Sequence, residues 1–508
     1  MTLEIDGHSV SLAELRQVWH GPVRLRLGES ARSGVKNSQK FVEQFVQNGN
    51  TAYGVNTGFG KLATKSIDSN QLVQLQHNLV RSHAAGVGNR LSDDVVRLSI
   101  VLKATALAKG YSGVRPVLID ALCALVNHEI YPIVPSQGSV GASGDLAPLA
   151  HIASALIGEG TVSFKGQILS AAEAFTQAQI EPLRLQPKEG LALLNGTQVS
   201  TALAIAALFR LEHAIAASIV AGAMTTDAVQ GSDTPFDERI HRVRGHHGQQ
   251  QVGSLLFELM KGSEIRASHV SCPRVQDPYS IRCQPQVVGA CLDSLHQSAD
   301  TLEIEANAVT DNPLVFVDSD AILSGGNFHA EPVALTSDYL ALAIAEIGSL
   351  SERRTALLMD SNLSGLPAFL VEDCGLNSGF MVVQVTAAAL ASENKALAQP
   401  ASVDSIPTSA NQEDHVSMAT YAARRLHNMV DNCQRIVAIE LLSAAQGIEF
   451  HRPLKSSGAI ENSLQQVRAI SDSYTTDRSL SEDIEKLAKV INAGNFCPLV
   501  KAILPSMG

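Results

Sequence analysis

Helical periodicity runs through most of this chain, in segments longer than most folds can hold. Apolar residues recur at three- and four-residue spacing over roughly 145–158, 190–227, 251–260, 283–308, 331–360, 381–395 and 415–447. Several of these exceed the ~11–12 residues of an average helix. A continuous helix over 415–447 would span ~45 Å at about 1.5 Å per residue. Strand signals are few. Residues 2–12 allow a short strand or hairpin around Asp6-Gly7, Val23–Leu27 a second strand, and Gly160–Ser170 a hairpin turning at Gly166. The expected fold is mainly α, an elongated central helical bundle with a small mixed α/β part at the N-terminus. A cut near residue 110 separates a mixed N-terminal domain, 1–110, from a helical body, 111–508.

Composition narrows the function classes. Of 508 residues, 45% are hydrophobic and only 17% are charged, so much surface is expected to be hidden in a large fold or between subunits. The net charge of −12 weighs against nucleic acid or an anionic membrane as partner. The seven cysteines are scattered without a Cys-x-x-Cys pair, which suits reduced thiols and a cytoplasmic location. The N-terminus lacks the basic region and apolar run of a signal peptide. The most apolar stretch, Thr201 to Met224, is interrupted by Arg210, Glu212 and His213.

One segment stands out from the helical pattern: Gly138-Ser139-Val140-Gly141-Ala142-Ser143-Gly144. Three glycines at every third residue do not favour a helix. The familiar serine and glycine motifs do not fit. A nucleophile elbow needs Gly-x-Ser-x-Gly, a phosphate loop needs a following Lys, and a dinucleotide fingerprint needs Gly-x-Gly-x-x-Gly after a strand. A tight interhelical loop is the plain reading. A sharper one is chemical. The Gly144 amide nitrogen, with no Cβ beside it, can approach the Ala142 carbonyl carbon and close a five-membered ring. Loss of two waters then leaves an imidazolone whose exocyclic methylidene comes from the Ser143 β-carbon. Such a group is an electrophile, which no unmodified side chain is.

Further polar clusters interrupt the helices. Tyr53 lies in the Gly-rich loop Thr51–Gly60, where packing and loop-borne chemistry are both open. A helix capped by Asp68, with Leu72, Leu75 and Leu79 on one face, ends at Ser82-His83. Helices starting at Ser92 and over 114–128 follow. Asn195 lies in Leu193–Gln198, where the plain role is an N-cap. Gln276, Tyr279 and Arg282 share a side of a Pro-broken turn. Phe328 sits in Ser324–His329. Glu413 precedes the longest helix, where a carboxylate also suits the helix dipole.

In order and nearly in spacing, these segments resemble the aromatic amino acid ammonia-lyases, most of all their histidine-acting members, from about Tyr53 to about Phe450. The resemblance implies a fumarase/aspartase-like helical fold and a 4-methylideneimidazole-5-one group formed from Ala142, Ser143 and Gly144, with no external cofactor and no metal. Asn195, Gln276 and Phe328 would hold or polarise that group. Arg282 would clamp the substrate carboxylate, Tyr53 would take the β-proton, and Tyr279 would be a second hydroxyl nearby. His83 and Glu413 would bind the substrate side chain, since tyrosine- and phenylalanine-acting relatives look like His-Leu or Phe-Leu at 82–83 and tend to carry Gln at 413. The implied substrate is L-histidine, converted to trans-urocanate and ammonia in the first step of histidine degradation. The implied assembly is a homotetramer with sites shared between chains. The competing readings are a lyase or aminomutase for tyrosine or phenylalanine, and a silent helical scaffold. A metal enzyme on Glu238, His241, His246 and His247 is disfavoured, because Gly245 and Gly248 interrupt the cluster.

Overall fold

The computed structural model describes residues 2–48, 50, 53–58, 67–269 and 275–507. The chain is mainly α and divides into two compact units. One unit comprises residues 1–206, 299–338 and 400–424, the other residues 207–298, 339–399 and 425–508. This division differs from a cut near 110. The helices Asp93–Ala108 and Pro116–Asn127, on either side of that point, pack against each other within the first unit.

The first unit opens with strand Thr2–Ile5, which pairs in parallel with Arg24–Leu27, Thr2 opposite Arg24. The structure has no hairpin at Asp6-Gly7, because a helix, Leu12–His20, begins too soon. Its start is sealed by a capping box in which Ser11 and Glu14 satisfy each other's backbone N–H groups. Strands Thr161–Phe164 and Gln167–Ser170 form the expected hairpin around Gly166, with Tyr131–Pro132 added on one edge. The helix Leu72–His83 packs on Leu146–Leu156 and Glu189–Leu194. Asp68 opens a 3-10 turn, Ser69–Gln71, ahead of it, without a side-chain capping bond.

The helical run expected over 190–227 is two helices, Glu189–Leu194 and Gln198–Ala228. The break falls at Asn195-Gly196-Thr197, where Gly196 has φ +140°. A Cβ there would stand 2.4 Å from Gln198 Oε1 and 2.9 Å from Thr310 Oγ1, so both conformation and space require glycine.

In the second unit, four long helices meet through one buried polar cluster: Thr225 from Gln198–Ala228, Gln284 from Gln284–Ala306, Arg354 from Glu331–Met359 and Glu440 from Ala419–Glu449. Arg354 Nη2 donates to Glu440 Oε2 at 2.7 Å and Thr225 Oγ1 to Glu440 Oε1 at 2.8 Å, while Gln284 Nε2 donates to Thr226 Oγ1 at 2.9 Å. The charges are bidentate and paired, which a fully buried ion pair requires. Gln198–Ala228 and Glu331–Met359 are long and apolar enough to cross a membrane by composition, but the apolar window of the first is 94% buried by protein. Its Glu212 accepts from the Ser506 N–H at 2.8 Å and hydroxyl at 2.6 Å.

Candidate active site

A cavity of about 1200 Å³ lies within the first unit. Its wall is assembled by packing helix ends and loops together. The C-terminal end of Leu72–His83 brings His83, the loop before Leu146–Leu156 brings Ala142 and Ser143, and the 195–197 break brings Asn195. Tyr53, Phe328 and Glu413 complete the set of expected residues lining it.

Gly144 pairs with Gly196 through an isolated backbone bridge, and the Asp145 N–H donates to Gly196 O at 2.7 Å. Gly144 has φ +76°, and a Cβ on it would lie 2.2 Å from Gly196 O. Two glycine backbones therefore press together where the serine loop meets the helix break. The Ser143 carbonyl accepts from Asn195 Nδ2 at 2.6 Å, and the Ser143 hydroxyl donates to Glu413 Oε1 at 2.6 Å. Asn195 ends the Glu189–Leu194 helix instead of capping the start of the next, which is what frees its side chain for Ser143.

Glu413 lies six residues before Ala419, where the long helix starts, so the helix dipole does not account for it. A backbone bridge to Thr408 folds it back across a tight loop. Its Oε2 accepts from Thr408 Oγ1 at 2.7 Å and Ser409 Oγ at 2.8 Å. Burial pushes the Glu413 carboxyl upward, but the hydrogen bonds from Ser143, Thr408 and Ser409 outweigh it and hold the group below the usual carboxylate range. His83 moves down, because burial outweighs the Leu79 carbonyl and the Glu413 charge that favour its cation. The peptide after Tyr53 is tied by Gln76, whose Nε2 donates to Gly54 O at 3.5 Å while its Oε1 accepts from Leu191 N–H at 3.2 Å.

Three expected residues are not brought to this cavity. Gln276, Tyr279 and Arg282 belong to the second unit, and none is among the lining residues. Gln276 is exposed and Tyr279 is 71% exposed, with the Arg282 guanidinium 4.6 Å from the Tyr279 ring centre. Of the disfavoured metal cluster, His241 Nδ1 is 3.0 Å from Gln249 Nε2 and Glu238 pairs with Arg242.

Two buried groups behind the cavity were not expected. Asp145 accepts from Ser200 N–H at 2.7 Å and Ser200 Oγ at 2.9 Å through Oδ2, and from Thr420 Oγ1 at 2.6 Å and Ser139 Oγ at 3.2 Å through Oδ1. It thereby ties the serine loop to two long helices; burial raises its pKa against those bonds. Lys103 Nζ donates to Ala192 O at 3.0 Å and to Asn195 O at 2.8 Å, satisfying carbonyls at the helix break. The signal for Asp145 was its place directly after Gly144. Lys103, mid-helix in Asp93–Ala108, carries no local signal.

Burial lowers the Lys103 pKa from 10.5 to about 7. The folded chain thus gives up this proton near pH 7, while the unfolded chain keeps it to about pH 10.4. Between those values the unfolded state binds more protons, so this group's contribution to stability rises with pH across the window. The denaturation midpoint of the parent chain is expected to gain on that of Lys103→Met as pH is raised from about 7 to about 10. Equal slopes in urea titrations of the two proteins would refute this.

The sequence profile of the aromatic amino acid lyase family matches residues 10–469. A histidine ammonia-lyase of Photobacterium profundum is 55% identical over 507 residues, covering 99% of each chain. One of Vibrio cholerae is 57% identical over 485 residues, covering 95% of each. The crystal structure of histidine ammonia-lyase from Trypanosoma cruzi superposes with a TM-score of 0.91 at 39% identity, covering 99% of this chain and 96% of that one. A tyrosine aminomutase of Streptomyces globisporus superposes with a TM-score of 0.92 at 36% identity, covering 98% of each. A mainly α chain with this serine loop on its cavity wall is of the lyase class. The chain belongs to the aromatic amino acid lyase family.

Proposed function

We propose that the protein eliminates ammonia from L-histidine to give trans-urocanate, the opening step of histidine degradation. The observation that carries this reading is one cavity wall holding Ser143, His83 and Glu413 together. A His and a carboxylate suit an imidazole ring, and left unpaired they would penalise a phenyl ring. The names of the Photobacterium and Vibrio relatives support the same substrate.

The residues present fit a 4-methylideneimidazole-5-one formed autocatalytically from Ala142, Ser143 and Gly144. Gly144 has no Cβ where its nitrogen must approach Ala142, and the Ser143 carbonyl already meets an amide donor. Once formed, that group supplies the electrophile that the twenty side chains lack. Asn195 acts as a fixed dipole on the Ser143 carbonyl, in place before the reaction starts. Phe328 packs on the cavity wall. Tyr53 takes the β-proton. Arg282 binds the substrate carboxylate through its planar fork, Gln276 joins Asn195 in polarising the electrophile, and Tyr279 supplies a second hydroxyl. Arg282, Gln276 and Tyr279 are supplied by other copies of the chain in a homotetramer, consistent with the exposure of Gln276 and Tyr279 and with the absence of all three from the lining of this chain's cavity. Cys123, Cys283, Cys291, Cys374 and Cys433 are free thiols, which suits work in the cytoplasm.

The purified protein is incubated separately with L-histidine, L-tyrosine and L-phenylalanine, and ultraviolet absorbance of the conjugated acid is followed. Absorbance rising with L-histidine alone supports the reading; a rise with either other amino acid alone overturns the substrate. Asn195→Ala is expected to lower kcat about 10²–10³-fold, as removal of a single preorganised donor does elsewhere. A kcat unchanged in steady-state assays would remove Asn195 from the machinery.

A further inference from the structure

The hydrogen bonds at His83 determine which face it turns to a ligand. Its Nδ1 lies 2.9 Å from the Leu79 carbonyl oxygen and 3.0 Å from Ser82 Oγ. A carbonyl can only accept, so Nδ1 carries the proton. In the neutral ring, which burial favours, Nε2 is then a lone pair. Glu413 is likewise an acceptor. Two hydroxyls occupy its Oε2, and among the described residues the one hydroxyl that donates to Oε1 is that of Ser143. Dehydration of Ser143 would take that hydroxyl away and release Oε1. The cavity would then offer a substrate ring two acceptors and no donor from this pair.

A neutral imidazole has one N–H and one lone pair. It can satisfy His83 or Glu413, but it must set its lone pair against the other. A ring protonated at both nitrogens satisfies both. We propose that the site binds the side chain of L-histidine as imidazolium, one N–H donated to His83 Nε2 and the other to Glu413 Oε1, so that a proton is taken up with the substrate. This rests on the substrate reading above and adds the protonation state in which the ring is held.

The consequence is chemical. The β-carbon is attached to that ring. When its proton leaves to the base, the C–H electron pair stays on the β-carbon in conjugation with the ring, beside the ring's positive charge, so the species formed carries no net charge. A neutral ring would have to carry that pair as an anion. The two acceptors that select the substrate would therefore also make its β-proton more acidic.

Other titratable groups face the same space. Tyr53, His329, Asp414 and His415 line the cavity, with His329 Nε2 3.4 Å from His415 Nδ1, and Asp145 and Lys103 lie behind the wall. A pH–rate profile would mix all of them, so the ring itself is the probe. The test uses full-length Ser143→Ala, which cannot form the electrophile and already lacks the hydroxyl on Glu413. L-Histidine labelled with ¹⁵N in the ring is bound at about pH 8, above the ordinary histidine pKa of about 6.5. Both ring nitrogens are expected at imidazolium shifts. Calorimetry in buffers of different ionisation enthalpy is expected to find uptake of about one proton. In Ser143→Ala/Glu413→Gln the uptake disappears and the bound ring becomes neutral, because the amide can donate to a ring lone pair. A bound ring with one unprotonated nitrogen in the Ser143→Ala protein overturns the inference while leaving the substrate reading in place, even if a proton is taken up elsewhere. Binding of L-phenylalanine or L-tyrosine without binding of L-histidine overturns both.

Discussion

Ser143→Ala is expected to abolish turnover of L-histidine down to the background of the assay. The loss should exceed the roughly 10²–10³-fold that follows removal of one preorganised donor, because the variant has no hydroxyl to lose and no methylidene to form. The fold has little reason to change. Ser143 gives up one hydrogen bond, to Glu413, which keeps Thr408 and Ser409 as donors. Intact mass separates chemistry from folding. The parent chain is expected to be lighter than its sequence by two waters, and Ser143→Ala to have its full sequence mass with a thermal midpoint near that of the parent. Gly144→Ala should block ring formation by another route, since its Cβ would lie 2.2 Å from Gly196 O. A parent chain at full sequence mass, or a Ser143→Ala protein that still releases ammonia, would sink the self-made electrophile.

The second large effect is on discrimination. The parent enzyme is expected to favour L-histidine over L-phenylalanine by about 10⁴ or more in kcat/KM, because a site built for hydrogen bonds rejects a ring that cannot make them. His83→Leu removes one partner of the imidazole. With a charged or strongly polar hydrogen bond worth about 1.5–3 kcal/mol, kcat/KM for L-histidine should fall by roughly one to two orders of magnitude. The effect on L-phenylalanine should be neutral or favourable, since leucine adds apolar wall beside Leu79 and Leu75. Combining His83→Leu with Glu413→Gln should erase most of the preference. The two changes should not add, because both side chains hold one ring. Parallel kinetics on both amino acids are the measurement, and a double variant that still prefers L-histidine a thousandfold would mean that other residues choose the substrate.

Much of this architecture was legible before any coordinates. The hairpin at Gly166, the helix ending at His83 and the long helices near 331–360 and 415–447 are local events. Periodicity, capping residues and glycine are enough to specify them, because each depends on neighbours within a few positions. The serine loop was legible for a related reason: the ring closure proposed for it involves only three consecutive residues. What local pattern could not supply was every feature set by contacts distant in sequence. The helix break at Asn195 looked like continuous apolar periodicity, and only the Gly144–Gly196 approach explains it. Glu413 looked like a helix start, but its carboxylate is held by Thr408, Ser409 and Ser143. Lys103 and Asp145 look like ordinary polar residues until burial leaves them to bind the backbone of the site. Gln276, Tyr279 and Arg282 could be named from the family resemblance, but the resemblance does not say in which unit they fold. Chemistry written in adjacent residues was readable from the order of the letters. Which distant groups meet, and in what protonation state, depends on desolvation and hydrogen bonding that exist only once the chain has folded.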